Sequence, residues 1–357
     1  MSNESVYDKE IAQALKGVAI VMMLFFHCFR EQSVYEGFAI SFFPFRETSI
    51  VNIANTCKIC VSLFAFITGY GLYLNYSNHC NSSGRWVLKR YVKTFSRFWF
   101  VWAISAFVFQ IIDGRFSYTY GKGLNSVWYS AIDFFGLADL FKTPTLNANW
   151  WYMSAAIVFI VMMVPIHKYS NYLWLVIAGE VAFIRVISPQ NAFTGHNSIY
   201  AFLSAYLLGC LFAKYDLFGK WSLLGPKSKW AKAYKLCVEL WILVFLYKSY
   251  HSLPIEKIWE FHYGLFPIIV ILICVEYIIP LLKRPLSFLG KHSMNVYLTH
   301  TFIRLYYLRD FTYSFKYFII IISVLLCISL IISIIIEWIK KATRYNALIS
   351  KGILRWL

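Results

Sequence analysis

Apolar runs near the roughly 17 to 25 residues that cross a hydrocarbon core recur ten times along the chain, the sixth, seventh and ninth of them short or polar. Their approximate limits are 12–29, 51–74, 95–112, 150–166, 172–188, 199–213, 235–250, 262–282, 294–308 and 317–338. With 59% hydrophobic and only 14% charged residues, the 357-residue sequence does not fit a string of soluble domains. It predicts an all-α polytopic membrane protein, a single integral-membrane domain over residues 1–357 with about ten transmembrane helices. A further apolar piece, 126–141, is too short to span and carries Asp133 and Asp139. It is expected to be a re-entrant or interfacial helix.

Charge then sets the orientation. The 34 Lys and Arg against 17 Asp and Glu give +17, which in a soluble protein would suggest nucleic acid. In a membrane protein the same excess reports which side faces the cytoplasm. A cytoplasmic N-terminus puts Arg85, Lys89, Arg90, Lys93 and Arg97, the stretch Lys214 to Lys235, the group Lys283, Arg284 and Lys291, and the tail Lys340 to Arg355 on one side. The connection 189–199 carries no Lys or Arg. An even span count returns the C-terminus to the cytoplasm, so both termini are expected there. The segment 1–13 is polar, and no small-x-small cleavage pattern follows the first run, which is expected to stay as a signal anchor. With no soluble catalytic domain expected at either end, chemistry is expected inside the bundle or at its faces, with membrane lipids and no nucleic acid as surroundings.

The first span, KGVAIVMMLFFHCFR, carries Lys16 and His27. Eleven residues of helix separate them by about 16 Å along the axis. A basic residue at a helix centre costs about 2.5 to 3.5 kcal/mol on insertion scales, so both are functional candidates. Snorkelling by Lys16 and a hydrogen bond from His27 to a neighbouring helix are the plain alternatives. In WVLKRYVKTFSRFW, Arg90 and Lys93 lie one helical turn apart. They read either as cytoplasmic anchors or, with Lys16 at the same level, as a basic ring for phosphates. Lower candidates are Glu180 and Arg185, Glu276, and Tyr297, His300 and Arg304. His300 and Arg304 are spaced i,i+4 and on that spacing line the cavity of His27 on the substrate side, while for every one of these lower candidates a role as a polar contact between helices is the equal alternative. Trp150 and Trp151 read as an interfacial belt. Among eight cysteines, Cys57 and Cys60 form a lone CKIC without a second pair at zinc spacing, and no metal is expected.

Five of these stretches come in a familiar order. They are the Lys16-x10-His27 helix, SLFAFITGYGLYL, LKRYVKTFS, NWWYMSA and SFLGKHSMNVYLTH. In that order and spacing the chain resembles the type-3 membrane acyltransferases over nearly its whole length. That family includes O-acetyltransferases of lipopolysaccharide O-antigens, capsules and other bacterial surface glycans. The resemblance implies that His27 is the essential histidine and that Lys16 is the Arg or Lys opening the R/K-x10-H motif. It places Arg90 and Lys93 on the family's RxxR, with Lys in the second place, and Ser96 where Pro is common. The Lys keeps the charge and loses the planar fork that binds phosphate bidentately. Members acting on peptidoglycan usually carry an extra hydrolase-like domain, which is not expected here.

What the resemblance implies is a bacterial inner-membrane enzyme. Acetyl-CoA, the co-substrate, would dock its phosphates on Lys16, Arg90 and Lys93 from the cytoplasm and present its thioester near His27. The acceptor would be a hydroxyl of a glycan or lipid-linked glycan. A neutral imidazole can take the hydroxyl proton during attack, and an acetyl-histidine intermediate is a second route. A transporter or flippase of a lipid-linked glycan is the rival from another class, since ten spans and buried charges suit transport too. A structural subunit of an export assembly is a third.

Overall fold

The computed structural model describes residues 7–79, 82–187, 202–223, 228–253 and 261–356. Apart from one bridge between Ser41 and Tyr317, every regular element among these residues is helical. The principal helices are α1 (Lys9–Phe29), α2 (Glu47–Thr56), α3 (Cys60–His79), α4 (Ser83–Asp113), α5 (Leu124–Phe134), α6 (Trp151–Lys168), α7 (Leu173–Ile187), α8 (Leu203–Tyr215), α9 (Lys229–Ser252), α10 (Phe266–Ile273), α11 (Ile279–Thr301) and α12 (Phe318–Ala342). Helices dominate because, in lipid, each span must satisfy its backbone N–H and C=O groups within itself.

Six helical runs among the described residues are long and apolar enough to cross a membrane: Lys9–Phe29, Glu47–Asn78, Ser83–Asp113, Ala148–Lys168, His262–Tyr307 and Phe318–Ala342. They cover seven of the ten expected spans, because those at 262–282 and 294–308 fall in one run. At 46 residues that run would measure about 69 Å, more than twice a hydrocarbon core of about 30 Å. It breaks at Leu282, whose φ of −120° and ψ of 22° are not helical, three residues before Pro285. The spans expected at 172–188 and 235–250 correspond to α7, only 15 residues, and α9, which is long but charged. The span expected at 199–213 corresponds to the shorter apolar helix α8. Part of it and the connection 189–199 lie outside the described residues.

The short acidic piece does not span. α5 has 11 residues, and a four-residue turn, Ala138–Phe141, follows it. Leu124, Val127, Trp128 and Phe141 stay exposed while Asp133 is buried, an inverted pattern that suits a helix lying at an interface.

The chain divides into two compact units, each from non-contiguous stretches. The first comprises Met1–Ser77, Pro165–Ser293 and Phe315–Ile322; the second comprises Asn78–Val164, Met294–Ser314 and Ser323–Leu357. In the first unit, two helix crossings bring backbone against backbone. A Cβ on Gly17 would lie 2.2 Å from the Leu286 carbonyl oxygen, and one on Gly290 would lie 1.8 Å from that of Gln13. Gly69 and Gly209 make the same reciprocal approach between α3 and α8, at 2.1 Å from the Tyr206 oxygen and 2.2 Å from the Phe66 oxygen. Small residues permit this because lipid offers helices no hydrophobic drive, only close packing. At the α1 crossing Lys283 pairs with Glu10 at 2.8 Å and Asp8 at 3.7 Å, and the Ser287 hydroxyl donates to the Glu10 carbonyl at 3.0 Å. In the second unit, Phe95, Phe98, Trp150, Met153 and Phe302 form the buried core.

Gly290→Val therefore drives α1 and α11 apart. Detergent-solubilised protein is expected to lose its monodisperse size-exclusion peak, whereas Gly71→Ala, at a position with nothing within 4 Å, leaves it unchanged. A normal peak and melting temperature for Gly290→Val would refute the crossing.

Candidate functional site

α1 runs unbroken from its Asp8 cap, whose carboxylate accepts from the Ile11 N–H at 2.7 Å, to Phe29. Its regularity turns a sequence spacing into geometry. Eleven residues are almost exactly three turns, so Lys16 and His27 lie on nearly one line of the helix, about 16 Å apart. Glu10, Gln13 and Gly17 form the face that meets Ser287, Gly290 and Leu286, and that contact fixes the azimuth of the Lys16–His27 line.

His27 sits half-buried in the last turn. Its ring meets Phe26 edge-on at 5.0 Å. The Arg30 guanidinium lies 5.9 Å and the Lys58 ammonium 6.0 Å from the centre of that same Phe26 ring. The end of α1 is fixed by α2, where the Asn55 amide donates to the Arg30 carbonyl at 2.9 Å, and by Phe29, which packs edge-on against Tyr35, Phe42 and Phe318. Beside α2 the Thr56 hydroxyl and His251 Nε2 are 3.0 Å apart, and the Tyr250 hydroxyl donates to the Asn55 carbonyl at 3.2 Å. His262 packs on Tyr250 at 4.3 Å, is 2% exposed, and among the described residues has no hydrogen-bond partner at either ring nitrogen. Lys58, His251 and His262 escaped the sequence reading. The one local signal for Lys58 is a lysine lying between the two cysteines of the CKIC.

In the second unit, α4 begins twelve residues before the expected third span, so the basic cluster belongs to the same helix. Arg90 is half-buried with its Nε unpartnered, and Lys93, one turn on, is exposed. Lys340, only 1% exposed, bonds Glu337 at 2.9 Å, and Asn295 donates to the same carboxylate oxygen at 2.9 Å and to Ser333 at 3.0 Å. The Tyr345 hydroxyl ties this end to α4 through the Ser96 carbonyl at 2.8 Å.

His300 and Arg304 are both buried, at the junction where α11 passes into π winding over Phe302–Tyr307. His300 Nδ1 faces the Tyr297 carbonyl at 2.8 Å and so carries the proton; Nε2, 3.3 Å from the Thr301 hydroxyl, accepts. Asn149 donates to that same hydroxyl oxygen at 2.6 Å. His300 is thus engaged within its own turn, whereas Arg304, 6% exposed, has an unpartnered Nε. Trp150 departs from the interfacial reading. It is 3% exposed, its indole N–H donates to the Leu298 carbonyl at 3.0 Å, and its ring meets Phe98 edge-on at 5.2 Å. A ring that satisfies its one polar atom inside has no need of the headgroup region. Glu180 receives Ser204, and Glu276 pairs with Lys235, so both act between helices; the side chain of Arg185 lies outside the described residues.

A cavity of about 240 Å³ opens beside Trp150 and Trp151, lined also by Asp133, Asp139, Thr143 and Ser154. Asp133 anchors its wall. One carboxylate oxygen accepts from Trp102 Nε1 at 3.0 Å, the Tyr120 hydroxyl at 2.5 Å and the Leu146 N–H at 3.2 Å. Burial pushes the Asp133 carboxyl above its ordinary range, opposed by those hydrogen bonds. Among the described residues no group of three or more His, Cys, Asp or Glu is arranged to hold a metal ion.

The family model described as an acyltransferase domain, that of the acyltransferase 3 family, matches residues 12–338. The chain belongs to the acyltransferase 3 family. Neither the curated proteins nor the solved structures yield a match. It is a multi-pass helical membrane acyltransferase, and the matched span includes Lys16, His27, Arg90, Lys93, His300 and Arg304.

Asp133→Ala is expected to destabilise this acyltransferase by several kcal/mol, because each buried donor left without an acceptor costs about 1 to 3 kcal/mol. Asp133→Asn, which keeps an oxygen acceptor, loses less. Thermal unfolding of the two variants in detergent measures the difference, and equal melting temperatures for Asp133→Ala and wild type would contradict the anchoring role.

Proposed function

We propose that this acyltransferase moves an acetyl group from acetyl-CoA to a hydroxyl of a bacterial cell-surface glycan, an O-antigen, capsule or exopolysaccharide, with His27 as general base. The observation that carries the reading is the unbroken three-turn spacing of Lys16 and His27 on α1, in a chain whose family transfers acyl groups. Acetyl-CoA is cytoplasmic and its nucleotide end is polyanionic, so the donor enters from the basic side. The charge distribution supports an inner-membrane protein with both termini cytoplasmic. Lys16, Arg90 and Lys93 take the donor phosphates. A pantetheine arm of the order of the Lys16–His27 spacing delivers the thioester toward His27.

A sugar hydroxyl becomes a competent nucleophile only as its proton leaves. The His27 imidazole accepts that proton while the hydroxyl oxygen attacks the thioester carbonyl. Arg304 serves the acceptor side through its unpartnered guanidinium edge, and His300, engaged with Tyr297 and Thr301, holds the turn that carries it.

His27→Ala is expected to lower transfer about 100- to 10,000-fold, to the limit of detection, with the protein still inserted. The assay is labelled acetyl-CoA with surface polysaccharide from the producing cell, stripped of esters by mild alkali. Wild-type acetylation by that variant would remove the assignment. Neutralising Arg90 and Lys93 together, as Arg90→Gln with Lys93→Gln, is expected to raise KM for acetyl-CoA well above any change in KM for the glycan. Unchanged donor binding would return the pair to a purely topological role.

A further inference from the structure

The turn Cys57–Ile59 joins α2 to α3 and packs against α1. Its middle residue, Lys58, is 8% exposed. Several cations in the chain have anionic or carbonyl partners: buried Lys340 has Glu337, half-buried Lys235 has Glu239 and Glu276, and half-buried Lys214 has the Ser170 carbonyl. Lys58 has none among the described residues. Its ammonium lies 6.0 Å from the Phe26 ring and near the Cys60 thiol, with Arg30 against the same ring and His27 next along the helix.

The magnitudes make this arrangement costly. Burying an ion costs more, even after relaxation, than a cation–π contact returns. The second cation, Arg30, adds repulsion rather than relief. An ammonium held against the aromatic ring that His27 also meets suits a reaction that transiently generates negative charge, since a preorganised donor acts most strongly where water is excluded.

We propose that Lys58 is a catalytic residue of the transfer, binding the carbonyl oxygen of the acyl group and stabilising the oxyanion that forms there. This rests on the acyltransferase reading with His27 as base. The hydroxyl oxygen of the acceptor bonds to the thioester carbon as its proton passes to the imidazole, and the carbonyl electron pair moves onto oxygen, facing Lys58. Collapse restores the C=O bond and breaks the C–S bond. The coenzyme thiolate leaves and takes the proton back from the imidazolium, giving ester and free thiol with no other reactant. Lys58 keeps its proton throughout.

The test is Lys58→Met, which keeps length and removes charge, with Lys58→Arg and His27→Ala in parallel. All use labelled acetyl-CoA and the alkali-treated polysaccharide. Lys58→Met is expected to lower kcat about 100- to 1,000-fold, the usual loss for one oxyanion donor, with both KM values within about threefold of wild type. Its melting temperature is expected to equal or exceed that of wild type, because no ion pair is lost and a buried charge is removed. Lys58→Arg is expected to retain at least tenfold more kcat than Lys58→Met. A kcat within threefold of wild type, a rise in acceptor KM with kcat intact, a melting temperature several degrees lower, or equal losses in Met and Arg variants would each overturn the proposal. Activity in His27→Ala would instead overturn the parent reading, whereas inactive His27→Ala beside fully active Lys58→Met would remove Lys58 alone.

Discussion

The arrangement of the first unit depends on α1 lying backbone to backbone against the stretch from Leu286 to Gly290. Gly17 and Gly290 leave no room for a side chain, so the two helices cannot rotate past one another without opening the contact. Since side chains recur about every 100° around a helix, locking the Glu10–Gln13–Gly17 face also fixes Lys16 and His27 on the flank. The ion pairs of Lys283 with Asp8 and Glu10 add little by comparison, being partly exposed. They set register at the start of α1, and the glycines set distance.

The cations sort into two kinds. Those with carboxylate partners join elements of one unit: Lys235 joins α9 to Glu276, and Arg115 joins Asp113 and stacks on Tyr306 at 3.9 Å. Removing one member of a buried pair is destabilising because the other is left charged and alone. Arg90 and Arg304, each with an unpartnered Nε, and Lys58, with no carboxylate, lack that structural explanation. A transferase using a polyanionic donor and passing through an oxyanion supplies one. That no ion pair to a carboxylate is found for them among the described residues distinguishes them from the helix-joining residues better than burial alone.

Much of the helical framework was legible because lipid leaves a chain few options. An apolar run of spanning length has to be a helix, and α1, α4, α6 and α12 emerge where hydropathy places them. Hydropathy reports water avoidance and says nothing of what a side chain meets. It therefore placed Trp150 in a belt, although the Leu298 carbonyl and Phe98 hold it inside, whereas its separation of 262–282 from 294–308 agrees with the break at Leu282. Glu276 was legible as a buried acid, but its partner Lys235 lies 41 residues away and no local pattern connects them. Lys58 was hidden for another reason. Flanked by two cysteines, it looked incidental to a thiol motif, and only the fold sets it against Phe26.

The x10 spacing acquires a physical meaning from the helix it lies on. Ten intervening residues bring two side chains back to nearly the same azimuth after three turns, at two depths along one rigid rod. Nine or eleven would swing them apart by about 100°. A cation and an imidazole so placed can engage distant parts of one extended molecule without any loop having to move. The element most exposed to displacement is then not α1 itself but the turn that brings Lys58 beside its last helical turn. That turn is held by the Asn55 amide on Arg30 and the Tyr250 hydroxyl on the Asn55 carbonyl. Asn55 thereby couples the geometry of the proposed oxyanion donor to that of the proposed base: any movement of α2 shifts the ammonium relative to His27.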